Sequence, residues 1–391
     1  MLCKEEHCTG CSSCYNICPS HAIAMRADAE GFLRPQIDEE KCVQCGLCDK
    51  SCPSLNPIAL NPEPSKAYAC WSLNEEIRAN SSSGGMFSEI ALFILRQQGI
   101  VVGAECDEDF YLRHVLVTQE SELSGTRISK YWQSDLGTVF TEVKKALQAD
   151  RKVLFVGTPC QVAGLYAFLG KQRNNPNLFT ADLICGSVPS PMVLKKYIDY
   201  LRDALKLDPV AINLRDKSLS WEFQQTSILQ KNGKKYVLRE EKDWFKTGFG
   251  KRLYSRPCCK TCQYTSLERV GDVTLGDYWG IGALEPFPHP KKKGVSVLLC
   301  NTAQGEILLD EIRKSCFVEE RQTNELTHPG LHNPKPDNPK RAQFFDDLDK
   351  LPIKQVVAKY FKRPWKQRLR SKIARTLPVS ISALFIKKPK I

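Results

Sequence analysis

The run Cys8-x2-Cys11-x2-Cys14-x3-Cys18-Pro19 recurs as Cys42-x2-Cys45-x2-Cys48-x3-Cys52-Pro53. Three thiolates at intervals of two residues can wrap one iron–sulfur cube. A fourth placed before proline is carried off in an extended direction, because proline restricts its predecessor. This spacing, given twice, is the ligand pattern of a two-[4Fe–4S] ferredoxin module in which the fourth cysteine of each run crosses over. The expected ligand groups are Cys8, Cys11, Cys14 and Cys52 for one cluster, and Cys42, Cys45, Cys48 and Cys18 for the other. Structural zinc also favours Cys-x2-Cys pairs, but four ligands per zinc leave the third x2 cysteine and the x3-Cys-Pro ending unexplained. One-electron transfer is the chemistry these residues point to.

Four more cysteines stand at suggestive places. Cys160 and Cys185 follow apolar runs that read as strands, where an α/β sheet presents residues at its carboxyl edge. Cys259 and Cys262 form another x2 pair, with Cys258 adjacent. By spacing alone they fit a third [4Fe–4S] site, a zinc knuckle, a redox dithiol or unconnected buried thiols. Cys70, Cys106, Cys300 and Cys316 have no metal-type spacing and read as core residues.

These residues need a scaffold. Residues 1–56 read as the α+β ferredoxin-like module, with Asp28–Asp38 bridging its halves, and Pro57, Pro62 and Pro64 mark a linker. From Ala67 onward strands alternate with helices, which predicts an α/β body with a mixed sheet in two regions, 65–150 and 151–328. Ser81-Ser82-Ser83-Gly84-Gly85 precedes an expected helix over 86–98; strands are expected at 100–104, 152–156, 179–184 and 295–301, with a helix from Gln161 to about Leu169. Segments 221–229 and 235–238 resemble a hairpin around Asn232-Gly233. Prolines at 334, 336 and 339 then lead into a basic tail, 331–391.

Charge and composition narrow the classes. The net charge of +12 sits in the tail, which holds 16 Lys+Arg against 4 Asp, leaving 40 of each sign before it. Trp365, Leu369, Ile373 and Leu377 recur every four residues among Lys366, Arg368, Arg370, Lys372 and Arg375. That is the pattern of a surface-lying amphipathic helix, suited to peripheral contact with an anionic membrane or an acidic partner, or to packing on the body. No recognition module accompanies the charge, so nucleic acid is not expected. No apolar stretch approaches the roughly 20 residues that span a bilayer. Eighteen cysteines without a leader-type apolar segment fit reduced thiols and a cytoplasmic setting.

Ser81–Gly85, Ser129-Lys130-Tyr131-Trp132-Gln133-Ser134, Gly157-Thr158-Pro159-Cys160-Gln161 and Gly276-Asp277-Tyr278-Trp279-Gly280 stand in the order seen in the coenzyme F420 hydrogenase/dehydrogenase beta-subunit family, which this sequence resembles over roughly residues 5–300. Asp28-Ala29-Glu30-Gly31-Phe32 with Pro35 looks like the ferredoxin linker of bacterial members. The resemblance implies an iron–sulfur oxidoreductase that passes electrons between clusters and FAD or FMN. It also implies that Cys160, Cys185, Cys259 and Cys262 hold an extra cluster. The strand-end cysteine is usually followed by His-Gly in the family; here Gly186-Ser187 follows.

Ser82, Ser83, Gly84 and Gly85 then read as a flavin-phosphate site at a helix N-terminus, or as a plain cap and turn. Lys130 could pair with phosphate or with the reduced flavin. Thr158, Gln161 and Asp277 could reach the flavin, with Trp279 as a wall. Three functions remain open. The first is a self-contained reductase acting on a small organic substrate, with surface-polysaccharide synthesis as context. The others are an electron-transfer subunit serving a redox partner protein, and an F420-dependent oxidoreductase. No general acid or base can be named.

Overall fold

A computed structural model describes residues 2–362 except 65 and 224. The N-terminal module comprises α1 (Ser13–Ile17), β1 (Ile23–Ala27), β2 (Leu33–Ile37) and α2 (Leu47–Lys50). β1 and β2 form an antiparallel hairpin. The Asp28 carboxylate closes its turn by accepting from the Glu30 and Phe32 amides and from Arg34 Nε.

The body continues with β3 (Lys66–Ser72), α3 (Glu75–Ala79), α4 (Met86–Arg96), β4 (Ile100–Cys106), β5 (Leu112–Val117), α5 (Val139–Gln148), β6 (Val153–Gly157), α6 (Pro159–Leu169), β7 (Leu178–Leu183) and α7 (Pro191–Leu205). Next come β8 (Pro209–Asp216), β9 (Gln225–Gln230), β10 (Lys235–Leu238), α8 (Trp244–Gly250), β11 (Val273–Asp277), β12 (Ser296–Cys300), α9 (Ala303–Ile312), β13 (Cys316–Gln322), α10 (Arg341–Lys350) and α11 (Ile353–Phe361). The main sheet has eight strands in the order β13-β3-β12-β11-β7-β6-β4-β5. Its centre, β11-β7-β6-β4, is parallel; the flanking pairs are antiparallel.

That topology follows from the sequence. Val153–Gly157 is buried at every position, as a strand covered on both faces requires. Because β4, β6, β7 and β11 run the same way, their carboxyl ends share one edge, which presents Thr158 and Cys160 after β6, Cys185 after β7 and Asp277 at the end of β11. A second sheet, β10-β9-β8, brings Arg215 of β8 to Asp277 at this edge.

Several expectations shift. α6 begins at Pro159, because proline suits the first helical turn and Thr158 with Gln161 forms a capping box. The 221–229 strand is split: Trp221–Phe223 is a single 3-10 turn and only Gln225–Gln230 pairs. Part of the expected tail is core. Phe344, Leu348 and Val356, from α10 and α11, are buried with Trp244 and Tyr254, since α11 meets α7 and α8 and Phe344 of α10 packs on Tyr254. The stripe from Trp365 to Leu377, and with it the membrane reading, lies outside the described residues. Cys70, Cys300 and Cys316 are buried core thiols as expected, whereas Cys106 is half-exposed. No helix among the described residues is long and apolar enough to cross a membrane.

The module is fastened to the body at many points. The Leu33 amide donates to Gln133 Oε1 at 2.8 Å, Asn16 Nδ2 to the Gly137 carbonyl at 2.8 Å, and the linker's Asn61 amide to the Arg269 carbonyl at 2.7 Å. Cys11 packs on α6 so closely that a Cβ on Gly164 would lie 2.7 Å from its Cβ.

Candidate redox and cofactor site

The four cysteines of the first expected group come together. Cys8, Cys11, Cys14 and Cys52, with Cys3, line one small cavity of about 20 Å³. Burial pushes the Cys11 thiol up to about 11, and the neighbouring Cys8 and Cys52 add to that rise. Burial and then the charges of Cys11, Cys8 and Cys52 raise Cys14 in the same way. Hydrogen bonds from Cys3 instead lower Cys8 to about 5 and Cys52 to about 6, so the group pairs two readily ionised thiols with two enclosed ones that would become thiolates beside cationic iron, because bound ligands must be deprotonated. The residues therefore fit a cluster. Cys18, Cys42, Cys45 and Cys48 sit nearer the surface, with Cys45 exposed. Cys18 Sγ accepts from the Ala22 amide at 3.3 Å.

The strand edge gathers the other set. Burial pushes Cys160 up to about 12, with Cys262 and Cys259 contributing after Thr158 opposes. Cys185 is raised well above its ordinary value by burial and then by Cys259, Cys160 and Cys262. Both strand-end thiols thus feel Cys259 and Cys262, while Cys258 leans on Cys259. The Cys262 loop is held by Arg269, whose guanidinium and the Asp182 carboxylate pair at 2.7 Å with neither side chain exposed. Asp182 also accepts the Val270 and Gly271 amides. No group of three or more His, Cys, Asp or Glu among the described residues closes tightly enough to hold a single metal ion.

Above this set opens a cavity of about 660 Å³ lined by both Cys160 and Cys185, by Ser82, Ser83 and Gly85, and by Lys130, Thr158, Gln161, Asp277 and Trp279. Of the residues singled out from sequence, Gly84 does not line it. Its amide donates to Ser296 Oγ at 2.8 Å, and a Cβ there would sit 2.3 Å from the Cys70 carbonyl oxygen. Gly84 therefore seats the α4 entry on β3. Gly84→Ala is expected to cost on the order of 1–3 kcal/mol by overpacking, measured as a lowered denaturant midpoint with an unchanged slope.

Lys130 differs from its expected role as well. Its ammonium donates to the carbonyls of Ala104, Gly125 and Arg127 at 2.8, 2.9 and 2.6 Å. Its three protons are thus used to close the loop around the cavity, and burial lowers it to about 8. Thr158 and Gln161 lock each other: the Thr158 amide and hydroxyl both donate to Gln161 Oε1, at 2.9 and 3.0 Å, and Gln161 Nε2 donates to Ser134 Oγ at 2.8 Å. Thr158 Oγ1 also lies 3.2 Å from Cys160 Sγ.

Asp277 is held by residues that sequence reading missed. Arg215 grips it with two hydrogen bonds, 2.5 and 2.8 Å, and Trp221 Nε1 donates at 2.7 Å. Burial opposes ionisation of Asp277, but Arg215 outweighs it and the carboxyl stays below its ordinary range. Trp221 stacks on Trp279 at 4.6 Å and 2°, so the aromatic wall is a braced pair. Arg127, Arg252, Lys246 and Lys335 also line the cavity, against Asp277 as the one acidic residue among the described ones. The wall suits an anionic ligand.

Three comparisons bear on this geometry. Residues 7–56 match a 4Fe-4S dicluster domain. Residues 67–140 match the coenzyme F420 hydrogenase/dehydrogenase beta subunit N-terminal region, and residues 150–325 its C terminus. The chain belongs to the coenzyme F420 hydrogenase/dehydrogenase beta-subunit family. Like that family it is oxidoreductase-related, here with an iron–sulfur module fused ahead of the body. Among solved structures it is similar to a chain of the F420-reducing [NiFe] hydrogenase complex from Methanosarcina barkeri, with a TM-score of 0.46 and 18% identity, covering 83% of this chain and 97% of that one. Nothing among the curated proteins matches.

Proposed function

We propose that this beta-subunit family member is an iron–sulfur flavoprotein oxidoreductase with three [4Fe–4S] clusters, which exchanges electrons between its N-terminal module and a small organic substrate. The observation that carries this reading is contiguity. Cys11, in the first thiol group, rests on α6 at Gly164, and α6 begins beside Cys160, which lines both the second thiol set and the large cavity. A path from the module to the cavity thus runs through one helix.

FAD or FMN would be held by Ser82, Ser83 and Gly85 at the α4 N-terminus, where backbone N–H groups favour phosphate, and by Thr158, Gln161 and the Trp279 wall. Such a flavin supplies the conversion between single electrons and electron pairs. Arg215 is committed to Asp277 and orients the wall. Lys130 holds the loop closed. Lys246, Arg252 and Lys335 give the cavity its positive character. His328 also lines the cavity and burial lowers it to about 4, so near neutral pH it is a neutral imidazole and not an acid store.

Electrons would enter at the surface end of the module, where Cys45 and the apolar Val43 and Leu55 are exposed to a redox partner. A sugar of surface-polysaccharide synthesis, or coenzyme F420, would be read by the same basic wall. The second reading, an electron-transfer subunit without its own substrate, leaves the cavity to a cofactor alone. Anaerobic purification with iron, sulfide and flavin quantitation tests the proposal. About twelve irons and one flavin per chain are expected; about eight irons without flavin would overturn it.

A further inference from the structure

Arg256 lies immediately before the second cysteine set and is buried, with 1% of its surface exposed. It is anchored on the body: its amide donates to the Val188 carbonyl at 2.8 Å, and its own carbonyl accepts the Cys259 amide at 3.0 Å. Its side chain crosses into the N-terminal module. There Nε donates to the Cys8 carbonyl at 2.7 Å, Nη2 donates to the Leu33 carbonyl at 2.9 Å, and Nη2 reaches Cys8 Sγ at 3.6 Å. The guanidinium also lies over the Phe32 ring, 5.3 Å from its centroid. Nη1 is buried with no hydrogen-bond partner. It sits where a Cβ on Gly10 would be 2.8 Å away, against the loop between Cys8 and Cys11.

A buried guanidinium is stable only when an anion compensates it. The partners of Arg256 among the described residues are neutral carbonyls and one thiol, Cys8. A cluster bound through Cys8, Cys11, Cys14 and Cys52 brings thiolate charge to this place. We propose that Arg256 is a positioning residue for electron flow: it donates to the Cys8 thiolate, neutralises part of the cluster's charge and raises the potential of that inner cluster. Hydrogen bonds to sulfur and local charge set cluster potentials. One residue thereby links the loop of the thiol pair at Cys259 and Cys262 to the neighbouring inner cluster.

This inference rests on the cluster assignment proposed above, and the test separates the two. Potentiometric titration of the whole chain, followed by electron paramagnetic resonance, is run on the native protein, Arg256→Gln and Arg256→Lys, with iron and sulfide measured on each. The expected result is a full iron complement and one cluster signal that titrates at more negative potential in Arg256→Gln, with a smaller shift in Arg256→Lys, which keeps the charge but not the fork. Full iron with unchanged potentials would overturn the role of Arg256. A native protein without the module's irons would instead overturn the cluster assignment. Should neither variant assemble, the Arg34→Gln protein, which keeps Arg256, labelled with ¹⁵N-guanidinium arginine decides. Hyperfine coupling of that nitrogen to a reduced cluster supports the contact, and its absence overturns it.

Discussion

Replacing Cys185 with alanine is expected to remove one cluster and leave the others, so iron falls from about twelve to about eight per chain while the module's signals persist. Cys185 is suited to this test because it lies two residues beyond β7 and leans on Cys259, Cys160 and Cys262 rather than on the module. Alanine removes the thiol without changing the strand, so the sheet should remain. Flavin content should hold or fall only in part, because Ser82, Ser83 and the Trp279 wall belong to other elements. Electron passage from the module to a bound acceptor should stop. Rapid mixing of the reduced protein under argon, with absorbance recorded in the visible, separates a severed path from an empty cavity. Retention of all the iron would show that Cys185 is not a ligand.

The second large effect concerns the ion pair beneath that loop. Arg269 and Asp182 are both fully enclosed, and Asp182 additionally accepts two backbone amides and the Thr274 hydroxyl. Removing one partner leaves a buried charge without compensation, which costs about 3–5 kcal/mol. Arg269→Leu should therefore lower stability by that amount in denaturant titration. It should also release iron from the Cys259–Cys262 set, since Arg269 holds the Tyr264 and Ser266 carbonyls directly after Cys262. The double variant Arg269→Leu with Asp182→Leu should recover part of the stability, because no charge is then stranded. A loss below 1 kcal/mol in the single variant would contradict the enclosure described.

Three strands of the parallel centre, β4, β6 and β7, were legible because they are short apolar runs, whereas β11 was not, since Thr274, Gly276 and Asp277 interrupt its apolar pattern. β6 and the capping residues after it show the first case well: Thr158, Pro159 and Gln161 announce a helix start independently of any fold. Arg215 was not legible. It lies on β8, whose pairing with β9 shifts register twice, between Pro209 and Ala211 and between Asn213 and Asp216, so no period-two pattern survives. Lys130 was visible as a residue but not as a staple, because the carbonyls of Ala104, Gly125 and Arg127 converge only in three dimensions. Net charge obscured α10 and α11: their aromatic residues face the core, while the excess Lys and Arg that mark the tail fall mostly beyond them. Gly84 looked like a ligand because a glycine that approaches phosphate and one that approaches a neighbouring strand carry the same sequence signal.

The linker has a further consequence. Its three prolines suggest a tether on which a carrier domain could swing. Yet Asn61 is pinned through both its amide and its side chain to residues 269–271, and Cys11 is pressed against Gly164. A carrier on a free arm delivers its load by repeated collision, and its pace follows diffusion. On the proposed electron path the two halves would be wired in series as one conductor, with throughput set by the spacing of its relays and by whatever docks at the open end.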